Sequence, residues 1–289
     1  MKMQECEIKS RTVFYSFLHF RNFSTKNHTV MRLVFLFLCA LSASPTWAKV
    51  MIVNGLTHTY TAENGQTLTG KIQLKNTGKN PDRVLIYKRD LMTDCGGTYD
   101  FVAANTHPRS IANWLTTNVD ERILQPQEEY EVLYTIQVPK DSSLSGSYWS
   151  LLMVESDTPL SEQQEKGVSI SSKTRYAIQV IADIGTENMP PIAFEKINME
   201  TPSDTLRVLH VKIKNDGKTL VKPKLLLDIF DGDGQKIKTF ETPVRKLYPN
   251  TCVTFEMPLT AMPKGKFEGV LVADYGRDLF GTNLDIEIK

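Results

Sequence analysis

Asp231-Gly232-Asp233-Gly234 has the spacing of a metal loop, because alternate carboxylates are how such loops present oxygen to calcium. The pattern then breaks. Gln235 stands where a third oxygen ligand should follow, Lys236 where a glycine should, and no glutamate closes the loop. Read as turn residues, the same run joins Leu225–Phe230 to Lys236–Phe240 in a hairpin. The histidines downstream of residue 48 are His58, His107 and His210, and none has zinc-like spacing. His210 alternates away from Leu209 and Val211, which turns it toward solvent or an interface. There is no P-loop and no serine nucleophile elbow. Glu128, Glu129 and Glu131 read as the polar side of a strand. The expectation is a protein that is not an enzyme, with no metal and no cofactor.

Aromatic residues offer a second chemistry, stacking on a ligand ring. Trp114 lies in the loop-like stretch Ser110–Leu115 and is the candidate for an exposed contact, with Tyr99 and Phe101 as companions. Trp149 follows a strand opening at Gly146 and reads as core or interdomain packing.

The elements that would position these residues are strands. Leu68–Leu74, Tyr130–Val138 and Tyr176–Ala182 alternate apolar and polar residues with period two. In the last third, Leu209, Val211 and Ile213 share a face, as do Leu225, Leu227 and Ile229. A polar stretch around Pro159–Lys166 is the best helix candidate and reads as a surface excursion. Three signatures occur twice: Asn76-Thr77-Gly78, Leu124-Gln125-Pro126 and Gly146-Ser147-Tyr148 return as Asn215-Asp216-Gly217, Leu247-Tyr248-Pro249 and Gly265-Lys266-Phe267. Asn-x-Gly suits a turn that tolerates positive φ. Leu-x-Pro ends a strand, and Gly-x-aromatic opens one whose ring enters the core. The reading is all-β: two tandem Ig-like β-sandwiches, 49–187 and 188–289, meeting near Met189-Pro190-Pro191.

Upstream lies a secretory signal. Arg32 supplies its charge, Val34–Leu41 a short apolar region, and Thr46-Trp47-Ala48 a cleavage site. We expect translation to start at Met31, cleavage to follow Ala48, and Cys39 to escape lipidation because Leu38 precedes it. The apolar run is short for a membrane span. The whole chain has 34 basic and 33 acidic residues. Six of the basic and two of the acidic ones precede Lys49, so the exported product is slightly acidic, a poor match to nucleic acid. Cys95 and Cys252 fall in different repeats and are expected to stay unpaired.

Leu124-x-Pro126, Tyr134–Pro139, Gly146–Trp149 and Val154-Glu155 together resemble the first domain of the WxL-interacting surface proteins. More distantly they resemble the first domain of periplasmic pilus-assembly chaperones. The second set of signatures resembles the second Ig-like domain of the WxL-interacting group. Those proteins carry a C-terminal membrane helix, and this sequence shows none, which favours a periplasmic or secreted product. The chaperone resemblance implies that the last strand of the first domain, Val168–Ile184, pairs with an exported or surface protein by strand addition. Its residues would be Ile170, Tyr176, Ile178 and Val180, with Lys173 or Arg175 holding a partner carboxylate. The opposing possibility is an ordinary closing strand buried by its own domain. A surface module for glycan or peptidoglycan, using Trp114, is the alternative function.

Overall fold

The structure is a computed structural model, and it describes residues 50–156, 163–165, 168–170, 173–185, 192–203, 206–276 and 279–288. These belong to one compact unit, Trp47–Lys289. The signal segment Met31–Ala48 and the expected junction at 186–191 lie outside the described residues.

The chain is all-β. The first part contains β1 (Val50–Ile52), β2 (Thr57–Ala62), β3 (Thr67–Asn76), β4 (Asp82–Thr93), β5 (Tyr99–Ala103) and β6 (Leu115–Thr117). It continues with β7 (Glu121–Leu124), β8 (Glu129–Gln137), β9 (Gly146–Ser156), β10 (Gln163–Glu165), β11 (Val168–Ile170) and β12 (Arg175–Ile184). The second part contains β13 (Ile192–Ser203), β14 (Leu206–Asn215), β15 (Lys224–Phe230), β16 (Lys236–Glu241), β17 (Cys252–Pro258), β18 (Gly265–Asp274) and β19 (Leu279–Ile288). In the first sandwich, a sheet ordered β1-β3-β8-β6 faces one ordered β2-β12-β9-β4-β5, with β7 also on β4. In the second, β13-β14-β17 faces β16-β15-β18-β19. Of the polar stretch 159–166, Gln163–Glu165 form β10, which pairs antiparallel with β11, Gln163 opposite Ile170; the rest of that stretch lies outside the described residues.

Alternation decides which side chains go inside. Ile72, Leu74, Val132, Tyr134, Ile136, Ile178 and Val180 all face the first core. Leu209, Val211, Ile213, Leu225, Leu227 and Ile229 fill the second. β9 departs from this rule, being buried at every position. Its Tyr148, Leu152 and Val154 enter the first core, while Trp149, Leu151 and Met153 enter a third core with Leu91, Ile181 and Tyr248 of the second sandwich. A strand covered on both faces reads as a continuous apolar run, and Tyr148–Val154 is nearly that.

The repeated signatures turn out to be one device built twice. The Asn76 side chain donates to the carbonyls of Asn80 (2.9 Å) and Leu124 (3.0 Å) and accepts from the Gly78 amide (2.9 Å). Asn215 does the same with Thr219 (2.9 Å), Leu247 (3.2 Å) and Gly217 (2.9 Å). The leucine of each Leu-x-Pro is therefore tied to the asparagine of each Asn-x-Gly. Positive φ is absent at Gly78 and Gly217. It occurs in the Leu-x-Pro turns instead, at Gln127 (64°) and Asn250 (57°), each following a proline. There Glu128 N bonds Gln125 O and Thr251 N bonds Tyr248 O, which closes a turn with Pro at its second position.

Asp231-Gly232-Asp233-Gly234 is a hairpin turn. The Asp231 amide donates to the Gln235 carbonyl and the Gly234 amide to the Asp231 carbonyl. Asp231 Oδ1 accepts from the amides of Asp233 and Gln235, so that carboxylate serves the turn.

Candidate functional site

β12 was the strand expected to present itself to a partner, and its surroundings divide it in two. From Gln179 to Ile184 it is paired on both sides, antiparallel to β9 and parallel to Thr57–Ala62 of β2. From Arg175 to Ile178 it pairs with β9, and no strand among the described residues pairs with its other side. Among the described residues this side is an open edge, and a short one. Ile178 and Val180 are 0 % exposed and belong to the first core. The expectation that they contact a partner is corrected: alternation set their direction, and that direction is inward. Tyr176 shares the inward face, packs against the core and donates its hydroxyl to the Val50 carbonyl (2.8 Å). Ile170 lies in β11, a separate strand paired with β10, and its side chain is outside the described residues.

The basic pair is also accounted for. Arg175 Nε donates to Glu155 Oε2 (2.8 Å), and Lys173 Nζ stands 4.0 Å from Glu155 Oε1. The Arg175 hydrogen bond holds the Glu155 carboxyl below its usual range, with the Tyr87 hydroxyl adding to the effect. A partner carboxylate arriving here would compete with one already in place.

Trp114 is not an exposed platform. It packs against the first core and its ring lies 5.1 Å from that of Tyr148, centroid to centroid. Trp149 takes the packing role expected of it. Its ring sits between those of His107 (4.6 Å) and Tyr248 (4.8 Å), and its Nε1 donates to the Leu91 carbonyl (2.9 Å). Burial pushes the His107 imidazole below its ordinary range. His210 lies within 3.4 Å of Glu200 on the β13–β14 sheet, partly exposed.

Where the outer face of the β12 sheet meets the second sandwich there is a cleft of about 390 Å³. Leu56, Leu91, Ala177 and Tyr248 line it, and Tyr99 and Phe101 rise at its rim, 48 % and 53 % exposed. Ala177 belongs to the open-edge stretch of β12, and Gln179 follows it into the cleft. Lys246 reaches in from the second sandwich. Its Nζ donates to Thr57 Oγ1 (2.9 Å) and to Gln179 Oε1, and Gln179 Nε2 donates to Tyr248 Oη (2.6 Å). Among the described residues no carboxylate pairs with Lys246. Burial, together with the charge of Lys222, lowers its pKa from the ordinary lysine value. Burial likewise raises that of Tyr248. The cleft thus holds a half-buried cation whose hydrogen-bond partners are neutral, beside an apolar wall and a short free strand edge. No three His, Cys, Asp or Glu side chains among the described residues gather as a metal site.

Cys95 and Cys252, expected to remain thiols, form a disulfide, with Cα atoms 4.7 Å apart. The sandwiches bring together two positions 157 residues apart, which spacing could not reveal. A disulfide suits an oxidising compartment and thus an exported protein. No helix among the described residues is long and apolar enough to cross a membrane.

Lys246, Gln179 and Tyr248 were not among the residues read from sequence. Tyr248 occupies the middle of a repeated Leu-x-Pro signature, but nothing local marks its neighbour Lys246 as a cleft residue.

No protein-family signature matches the sequence, and no curated protein matches it. Among solved structures the chain is similar to the YadV chaperone, at 13% identity and a TM-score of 0.43, over 83% of this chain and 100% of that one. It is also similar to a chaperone–tip adhesin complex of CFA/I fimbriae biogenesis, at 13% identity and a TM-score of 0.45, over 82% and 98%. A third is the CsuC–CsuE chaperone–tip subunit pre-assembly complex from Csu pili of Acinetobacter baumannii, at 14% identity and a TM-score of 0.42, over 82% and 98%. The resemblance to WxL-interacting proteins finds no support in these matches.

Proposed function

We propose that this chain is an exported, non-catalytic protein that captures another exported protein in the cleft between its two sandwiches, 49–187 and 188–289. The partner adds a strand along Arg175–Ile178, where backbone hydrogen bonds supply affinity. Its side chains lie against Leu56, Ala177, Tyr99 and Phe101, and its terminal carboxylate meets Lys246. One observation carries the reading: a free strand edge leads into a cleft that contains a half-buried lysine with no carboxylate partner among the described residues. An open edge is a liability that a monomer otherwise covers or blunts. Lys246 replaces Lys173 and Arg175 as the anchor because Glu155 already engages both.

Calorimetry with the synthetic peptide Thr-Val-Thr-Val-Thr-Phe tests this. The free-acid form should bind, and the amidated form should bind about tenfold more weakly, the cost of losing one charge-assisted hydrogen bond. Lys246→Met should weaken the acid form to the level of the amide while leaving the melting temperature close to the parent's. Equal affinity for acid and amide, unchanged by Lys246→Met, would remove Lys246 from the site. Tyr99 and Phe101 are also suited to stack on a sugar ring. Binding of a soluble muropeptide in place of the peptide would favour the surface-glycan alternative.

A further inference from the structure

The two walls of the cleft are tied together differently at its two sides. On the β2–β12 side the ties are side-chain hydrogen bonds, from Lys246 to Thr57 and Gln179 and from Gln179 to Tyr248. On the β5 side the tie is covalent. Cys95 lies in the turn between β4 and β5, and Cys252 opens β17 of the second sandwich.

The turn is fitted to the second sandwich around that bond. The Cys95 carbonyl accepts from both the amide and the hydroxyl of Thr254, each at 3.1 Å. Gly97, at a φ of 89°, lies so close to the Arg245 guanidinium that no Cβ fits between them. Arg245 in turn donates to the Thr254 carbonyl (2.5 Å) and lines the cleft next to Lys246. Leaving the turn in the other direction, the chain reaches Tyr99 and Phe101 within six residues of Cys95, and these rings form the rim. One bond therefore fixes where the aromatic rim stands relative to the wall that carries Lys246.

We propose that the Cys95–Cys252 disulfide is a redox-operated clasp that sets the opening of the cleft, and so regulates partner capture. This rests on the reading of the cleft as a partner site. Both cysteines are partly exposed. The reductant is a dithiol. Its thiolate attacks one cysteine sulfur and forms a mixed disulfide as the other cysteine leaves as a thiolate. The second thiol of the reductant then displaces the first cysteine. Two electrons and two protons pass to the protein, giving two cysteine thiols, and the reductant becomes the disulfide. β5 keeps its pairing with β4, but its position over the second sandwich then rests on non-covalent contacts alone.

The test measures ¹⁵N residual dipolar couplings in the two sandwiches of the full exported chain, oxidised and in excess dithiothreitol. Affinity for the free-acid peptide is measured on the same samples. In the oxidised protein one alignment tensor should fit both sandwiches. On reduction two tensors should be needed, each sandwich should remain folded, and peptide affinity should fall about fivefold or more. Cys95→Ser/Cys252→Ser should behave like the reduced protein and no longer respond to dithiothreitol. Gly97→Ala, which keeps the disulfide but displaces Arg245, should weaken the peptide without any reductant. A single tensor in both redox states overturns the clasp. So does global unfolding on reduction, since the bond would then be a structural staple. Split tensors with equal peptide affinity overturn its regulatory role. Split tensors with no peptide binding in either state leave the clasp standing and sink the partner reading.

Discussion

Replacing Ile178 or Val180 by aspartate should unfold the first sandwich, with no separable loss of partner capture. Both side chains are fully buried in the first core with Ile72, Leu74, Val132 and Ile136, and no lysine or arginine is among the buried described residues. Burying an unpaired carboxylate there, and losing the apolar contact, costs at least about 4–5 kcal/mol. That is a large part of the roughly 5–15 kcal/mol that holds a typical domain together. A group in this position also resists ionisation, so its pKa in the folded state would be raised. The folded state then binds the proton more tightly than the unfolded chain, and residual stability should rise as pH falls toward the carboxylate range. Circular dichroism and thermal melts between pH 4 and 8 check both points. A cooperative melt at the parent's temperature with weaker peptide binding would restore these two residues to the partner surface. Ala177→Asp is the contrasting change, because Ala177 faces the cleft: it should fold and disturb binding.

That contrast marks how far β12 could be read from its sequence. Period-two alternation says which side chains share a face, and it placed Tyr176, Ile178 and Val180 together correctly. It says nothing about what lies along the strand's edges. β2 pairs parallel with the second half of β12 from more than a hundred residues away, which leaves open only the first half. The same gap explains the cysteines. Cys95 and Cys252 sit in unremarkable turn and strand contexts, and only the docking of one sandwich on the other brings them within bonding distance. Lys246 is a third case, since its cleft is assembled from β2, β12 and the second sandwich. By contrast β9 carried a readable signal that alternation-based reading passed over. Tyr148–Val154 is too continuously apolar for a strand with one solvent face, and it is the strand that is buried on both. Trp114 failed for a related reason: a loop position does not guarantee exposure when a ring such as that of Tyr148 lies beneath it.

The repeated signatures were the most legible feature, though not for the reason their residue types suggest. If Asn-x-Gly were needed only as a turn, an aspartate should replace the asparagine, because its carboxylate still accepts from the glycine amide. The structure gives the side-chain amide a second duty. Asn76 and Asn215 are both fully buried, and each Nδ2 donates to two backbone carbonyls, one of them the leucine of the Leu-x-Pro turn. Asn76→Ala strands two carbonyls and one amide, which at about 1–3 kcal/mol for a buried unsatisfied group, partly relieved by relaxation, gives a loss of roughly 2–4 kcal/mol. Over a cooperative unit of this size the melting temperature should fall by roughly 5–15 °C. Asn76→Asp should be at least as damaging at pH 7, since an anionic oxygen would face the Asn80 and Leu124 carbonyls where a donor stood. Protonation restores one donor, so the folded-state pKa of that aspartate is raised and the deficit should shrink as pH falls. Asn215→Ala and Asn215→Asp should repeat the pattern in the second sandwich, against the Thr219 and Leu247 carbonyls. Thermal melts of the four variants at pH 7 and pH 4 decide the matter. If aspartate proves as stable as asparagine at either site, the motif there is only a turn, and the tie between the two signatures contributes nothing.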